Sequence, residues 1–153
     1  MSQDKKSFTL LVADDDEDDR QWIQEALAEN QWAGDLRFVG DGEELMDYLY
    51  RRGQYALPSA SPHPRLILLD LNMPKKDGRE ALIEIKSQPL LRHIPVVILT
   101  TSKAEEDVYR AYSAGANSFI IKPVTHERLL RAMRTLSEYW LEIVELPAAP
   151  GRG

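Results

Sequence analysis

Short, mostly apolar runs alternate along this chain with segments whose apolar residues recur every three or four positions. The runs Phe8 to Ala13, Leu36 to Val39, Leu66 to Asp70, Val96 to Leu99 and Phe119 to Ile121 lack helical spacing. Each reads as a strand, and Leu66 to Asp70 as a parallel strand buried on both faces. Between them, Trp22, Ile23, Ala26 and Leu27 mark one face of a helix over about 18–30, and Leu45, Met46 and Leu49 mark one over 42–50. Further helices are predicted over about 79–87, 103–114 and 125–144, with Gly115 as a C-cap and Pro147 as a stop. The stretch 52–64, broken by Gly53, Pro58, Pro62 and Pro64, reads as a long loop. Five strand–helix alternations predict an α/β fold: a doubly wound parallel sheet with right-handed crossovers and helices on both faces. One domain over 8–146 accounts for the pattern, with an N-terminal tail at 1–7 and a disordered tail at 147–153.

Composition narrows the possibilities without choosing among them. The 153 residues suit one domain, and 43% hydrophobic with 29% charged content is ordinary for a globular protein. A net charge of −6 argues against a nucleic-acid partner. The absence of cysteine excludes disulfides, thiolate catalysis and cysteine zinc sites. The first residues lack the apolar core of a signal peptide, and no stretch approaches the ~20 apolar residues of a membrane span. The expected location is therefore the cytoplasm, with no membrane partner. His63, His93 and His126 fall on predicted loops without ligand spacing and read as surface residues.

The chemistry lies at the strand ends. Asp14 and Asp15 follow the first strand, Asp70 closes the third, Thr100 follows the fourth and Lys122 the fifth. In an open α/β sheet the carboxyl ends of the strands form the ligand edge. Acids, a hydroxyl and an amine gathered there point to a phosphate-and-metal site. The acidic run continues through Asp16, Glu17, Asp18 and Asp19, which we assign to helix capping and solvent. Clustered carboxylates without cysteine or histidine suit Mg²⁺. Asp70 can serve as a metal ligand or as a nucleophile toward phosphorus, with Lys122 neutralising phosphoryl charge and Thr100 donating to a phosphoryl oxygen.

These residues carry a resemblance. The segments Leu11-Val12-Ala13-Asp14-Asp15-Asp16, Leu68-Leu69-Asp70-Leu71-Asn72-Met73-Pro74 with Asp77-Gly78, Pro95-Val96-Val97-Ile98-Leu99-Thr100-Thr101-Ser102, Ala114-Gly115-Ala116 and Ile121-Lys122-Pro123 resemble those of bacterial response-regulator receiver domains. The resemblance spans about 8–140 and implies a flavodoxin-like (βα)5 fold with strand order 2-1-3-4-5. It implies that Asp70 accepts a phosphoryl group from a sensor histidine kinase. Asp15, Asp70 and the backbone carbonyl of Asn72 would ligate Mg²⁺, with Asp14 acting partly through water. Lys122 would pair with the carboxylates and then the phosphoryl group, and Thr100 would act as the switch with Phe119 as its coupled aromatic. Such a protein is a phosphoacceptor assisting its own phosphorylation and dephosphorylation, not an enzyme. Phe119, where the family often has tyrosine, can fill space vacated by Thr100 but lacks a hydroxyl. Thr101 stands where many receivers carry alanine or glycine and narrows access to the phosphoryl group.

The segments 71–80, 99–102 and 139–147, with the extended loop before Leu66, resemble the phytochrome-associated response regulators. That implies a bacteriophytochrome as the kinase. The residues after the last helix are too few for a DNA-binding domain, so output is expected through protein contacts. Trp140, Ile143, Val144 and Leu146 extend beyond a typical receiver and predict an interface. A homodimer through the fourth helix, fifth strand and last helix is the expected assembly. Two alternatives belong to other classes. An aspartate-nucleophile phosphohydrolase wants a second acid two residues after Asp70, where Asn72 stands; a scaffold without phosphotransfer would not need the full polar set.

Overall fold

The computed structural model describes residues 8–148; the predicted tail at 1–7 and residues 149–153 of the other lie outside them. The elements run β1 (Thr9–Ala13), α1 (Glu17–Glu29), β2 (Asp35–Val39), α2 (Gly42–Tyr50), β3 (Pro64–Leu69), α3 (Gly78–Ser87), β4 (Val96–Thr100), α4 (Glu105–Ala114), β5 (Ser118–Ile121) and α5 (His126–Leu136). The strands form one parallel sheet in the order β2-β1-β3-β4-β5, as the resemblance implies. Alternate residues of each inner strand serve opposite faces. Leu11, Ala13, Ile67, Leu69 and Ile98 join one core with α2 and α3, while Leu10, Val12, Leu66, Leu68, Val97 and Leu99 join a second with α1 and α5. Both faces are covered, which is why these strands read as unbroken apolar runs.

Caps end and start the helices where the sequence places them. Asp16, Asp41, Asp77 and Thr125 accept hydrogen bonds from backbone amides of the first turns of α1, α2, α3 and α5. Gly115 closes α4 in the left-handed region at φ 112°, where a Cβ would be strained. The predicted loop before β3 is partly ordered into two short 3₁₀ turns, Gly53–Tyr55 and Pro58–Ala60. It is tied down by Tyr48 donating to the Pro62 carbonyl and Tyr55 donating to Glu44.

The last helix departs from the expectation. Regular α-helix stops at Leu136, and Ser137–Ile143 continues as a wider π-type coil. Ser137 Oγ donates to the Met133 carbonyl at 2.8 Å, a back-bond that loosens the ladder. The wider turn brings residues five apart onto one side. Leu136, Leu141 and Leu146 all bury in the second core, and Trp140 and Val144 pack against it. The predicted interface patch is therefore smaller than expected. Leu146 belongs to the interior, and Tyr139 and Ile143 carry the exposed apolar surface of this segment.

Candidate functional site

Backbone pairing sets the site before any side chain is considered. Each strand ladder runs one residue further: Asp14 N donates to the Val39 carbonyl at 3.0 Å, Asp70 N to Ala13 at 3.0 Å, and Lys122 N to Thr100 at 2.6 Å. Asp14 and Asp70 thus stand side by side on the carboxyl edge, where the chain leaves β1 for β2 and returns through β3. Gly78 lets α3 start hard against them. A Cβ there would lie 2.2 Å from the Asp70 carbonyl oxygen, so only glycine allows the approach.

Lys122 draws the acids together. Its Nζ lies 2.9 Å from Asp14 Oδ2, 3.1 Å from Asp70 Oδ2 and 2.8 Å from Asp19 Oδ2. The ammonium, Asp14 and Asp70 are buried, and Thr100 is fully so. Burial works against the charge of Lys122, but the bonds to Asp19 and Asp14 and the negative field of Asp14 and Asp70 outweigh it and hold the amine above the ordinary lysine range. Burial pushes the Asp14 carboxyl up, and the charge of Asp70 adds to that, against the lowering pull of Lys122. Further hydrogen bonds orient the acids. Asp14 Oδ1 accepts from Asp16 N at 2.9 Å and Asp70 Oδ1 from Asn72 N at 3.0 Å. Arg20, stacked over Phe38, donates to the Asp14 carbonyl at 2.7 Å.

Carboxylate oxygens of Asp14, Asp15 and Asp70 all lie within 4.8 Å of one another. Asp15 is the exposed member. This hard, all-oxygen donor set, open to water on one side, fits a divalent cation that keeps part of its hydration shell. Thr100 Oγ1 accepts from Asn72 Nδ2 at 3.4 Å, so the hydroxyl faces the same loop as the acids. Phe119, on the neighbouring strand in register with Ile98, is partly buried against the first core. Its backbone N–H donates to the Tyr112 hydroxyl of α4 at 3.0 Å. Thr101 is exposed beside the site.

The match to a receiver domain extends beyond geometry. Residues 10–134 match the family described as response regulator receiver domain. This chain belongs to that family. Among receiver proteins it is similar to the response regulator Rcp1 of Synechocystis, 42% identical over 92% of this chain and 93% of that protein. The crystal structure of the Mn²⁺-bound form of Rcp1 superposes with a TM-score of 0.86 at 41% identity, covering 92% of this chain and 99% of that one. The phosphorylated cyanobacterial phytochrome response regulator RcpA superposes with a TM-score of 0.87 at 41% identity, covering 95% of this chain and all of that one (100%). A probable methanogenesis regulatory protein, FilR2 of Methanothrix harundinacea, is 40% identical over 88% of this chain and 84% of its own length. This receiver is thus a two-component response-regulator domain close to the phytochrome response regulators.

Two groups of residues differ from the sequence reading. Asp19, assigned to solvent, instead reaches Lys122. A signal was present: Asp19 lies four residues before Ile23 and extends the buried stripe of Ile23, Ala26 and Leu27 by one turn toward the sheet edge. His63 and His93, read as separate surface residues, meet at the opposite end of the sheet with their Nε2 atoms 3.2 Å apart. The rings are nearly parallel, at 7° with centroids 5.3 Å apart. Burial pushes the His93 ring down, and the Lys86 charge adds to it. The third, His126, packs against Trp22 and pairs with Glu25 on the surface. Among the described residues, no helix is long and apolar enough to cross a membrane.

Proposed function

We propose that Asp70 accepts a phosphoryl group from the phosphohistidine of a sensor histidine kinase, and that the kinase is a bacteriophytochrome. The observation that carries the first part is the single buried ammonium of Lys122 held against Asp14, Asp19 and Asp70 at once. A cation so placed pairs with the Asp70 carboxylate that would attack and faces the position where phosphoryl charge arrives. A carboxylate oxygen of Asp70 attacks phosphorus, the P–N bond to the kinase imidazole breaks, and the imidazole leaves as it takes up a proton. Asp14, Asp15, Asp70 and the Asn72 carbonyl would hold Mg²⁺, which when bound supplies positive charge to the transferring phosphoryl oxygens. Thr100, rotating its hydroxyl from Asn72 toward a phosphoryl oxygen, is the proposed switch, with Phe119 filling the space it leaves. The domain is a phosphoacceptor in the cytoplasm rather than a turnover enzyme.

The phytochrome input rests on likeness to Rcp1 and RcpA across nearly the whole chain. For output we propose a homodimer through α4, β5 and α5, supported by Tyr109, Ile121 and Val124 standing exposed on that face.

Incubation with Mg²⁺ and acetyl phosphate, read by intact mass, tests the site. The wild type is expected to gain one phosphoryl group and Asp70→Asn none. Transfer from a purified phosphorylated bacteriophytochrome kinase, faster than from an unrelated histidine kinase, is the expected result for the input. An adduct persisting in folded Asp70→Asn would refute the assignment.

A further inference from the structure

Helix α4 is the one least held by apolar packing. Of its ten residues only Ala111 is buried, whereas α1, α2, α3 and α5 each bury three or four. An apolar cavity of about 120 Å³, lined by Leu71, Leu82, Ile83 and Ala111 among others, separates α4 from α3. Its N-cap residue, Ala104, supplies no side-chain hydrogen bond. With so little buried surface, the position of α4 depends on polar ties.

At the C-terminal half of α4 the tie is the Tyr112 hydroxyl on the Phe119 backbone N–H; at its first turn the ties centre on Asp107 and Arg79, the second residue of α3. Its guanidinium forks onto Asp107 in the first turn of α4, with Nε 2.9 Å from Oδ1 and Nη2 2.7 Å from Oδ2. Ser102, in the loop after β4, donates to the same Asp107 carboxylate at 2.5 Å. The remaining nitrogen, Nη1, donates to Asp77 Oδ2 at 3.0 Å and faces Asn72 Oδ1 at 3.4 Å and the Leu71 carbonyl at 3.5 Å. Asn72 is therefore engaged on three sides. Its backbone N–H holds Asp70, its Nδ2 faces Thr100, and its Oδ1 faces Arg79.

We propose that Arg79 is a positioning residue that couples the state of Asp70 to the pose of α4, through Asn72 on one side and Asp107 on the other. The inference rests on Asp70 being the phosphoacceptor. The contacts of the Asn72 side chain, at 3.4 Å, are long and easily exchanged, while the Arg79–Asp107 fork is short and bidentate. When Thr100 turns toward a phosphoryl oxygen, Asn72 loses one partner and reorients. Arg79 feels that change through Nη1 and carries it rigidly to the first turn of α4. The cavity and the sparse packing leave α4 room to respond. The helix that moves carries Tyr109 and Tyr112 on its exposed surface, so the change is legible from outside.

Hydrogen exchange over residues 105–114, with and without Mg²⁺ and acetyl phosphate, tests the coupling in wild type, Arg79→Lys and Asp107→Asn. Intact mass on the same samples reports phosphorylation. Lysine keeps the charge but cannot hold the fork and reach Asn72 together. The wild type is expected to change exchange several-fold in this segment on phosphorylation. Both variants are expected to gain the phosphoryl group yet exchange rapidly beforehand and respond by less than about twofold. A merely structural ion pair would speed exchange by the same factor in both states, and that result would overturn the proposal. So would a wild-type adduct that leaves α4 unmoved, with the Asp70 assignment intact. A wild type that gains no adduct would refute that assignment and the coupling with it.

Discussion

At the scale of single residues, Lys122 does what no acid of the site can do alone. Asp14 and Asp70 are buried beside each other, and like charges at that spacing oppose ionisation. The ammonium between them makes the cluster tolerable. Lys122→Met keeps much of the side chain's length and removes the charge, leaving two buried carboxylates without their partner. The expected cost is about 3–5 kcal/mol, read as a lowered urea midpoint. Mg²⁺ is expected to raise the variant's midpoint more than the wild type's, because a bound cation replaces part of the lost charge. A variant as stable as wild type without metal would show that the acids do not depend on this lysine. Asp14, Asp15, Asp70, Thr100 and Lys122 were all legible as polar residues ending apolar runs. Asp19 was harder to read: its spacing to Ile23 puts it on the buried face of the helix, but an acid in the first turn of a helix already has an adequate local explanation in the macrodipole, and only the fold shows that it meets Lys122.

Among the elements, the last helix is the most instructive. Its apolar residues exceed one α-helical face, and a period of 3.6 leaves some of them outside. The π-type turn from Ser137 resolves part of the excess by widening the coil, so that Leu141 follows Leu136 into the interior, and Leu146 joins them from the extended chain beyond Ile143. Leu141→Ala is expected to destabilise the domain by about 2–5 kcal/mol, as for other buried leucines. Ile143→Ala, two residues away and exposed, should stay within about 0.5 kcal/mol. Equal effects at the two positions, measured by chemical denaturation, would refute this reading of the segment. The inner strands β1, β3 and β4 offered no such ambiguity: coverage on both faces writes itself into the sequence as continuous apolar runs.

For the whole molecule, the exposed face of α4, β5 and α5 is where its assembly is expected. Tyr109 on α4, Ile121 on β5 and Val124 before α5 leave apolar area in water, which association removes. Sedimentation of the wild type is expected to show a concentration-dependent dimer. Tyr109→Asp, a surface change with little effect on stability, is expected to shift it to monomer while phosphorylation by acetyl phosphate persists. A wild type that remains monomeric at high micromolar concentration, with and without acetyl phosphate, would refute the dimer.

The sequence by itself determined the alternation of elements, the parallel sheet, and the row of acid, hydroxyl and amine at its carboxyl edge. Those follow from local spacing: a strand buried on both faces must be apolar, and a polar residue at its end has few reasons to be there. Only the tertiary structure decided which groups meet. It brought Asp19 to Lys122 across 103 positions, paired His63 with His93 across 30, and joined Arg79 to Asp107 across 28. The reason is physical. Local pattern is written by burial along one element, whereas a contact between elements depends on how helices settle on the sheet, and no periodicity within one segment records that.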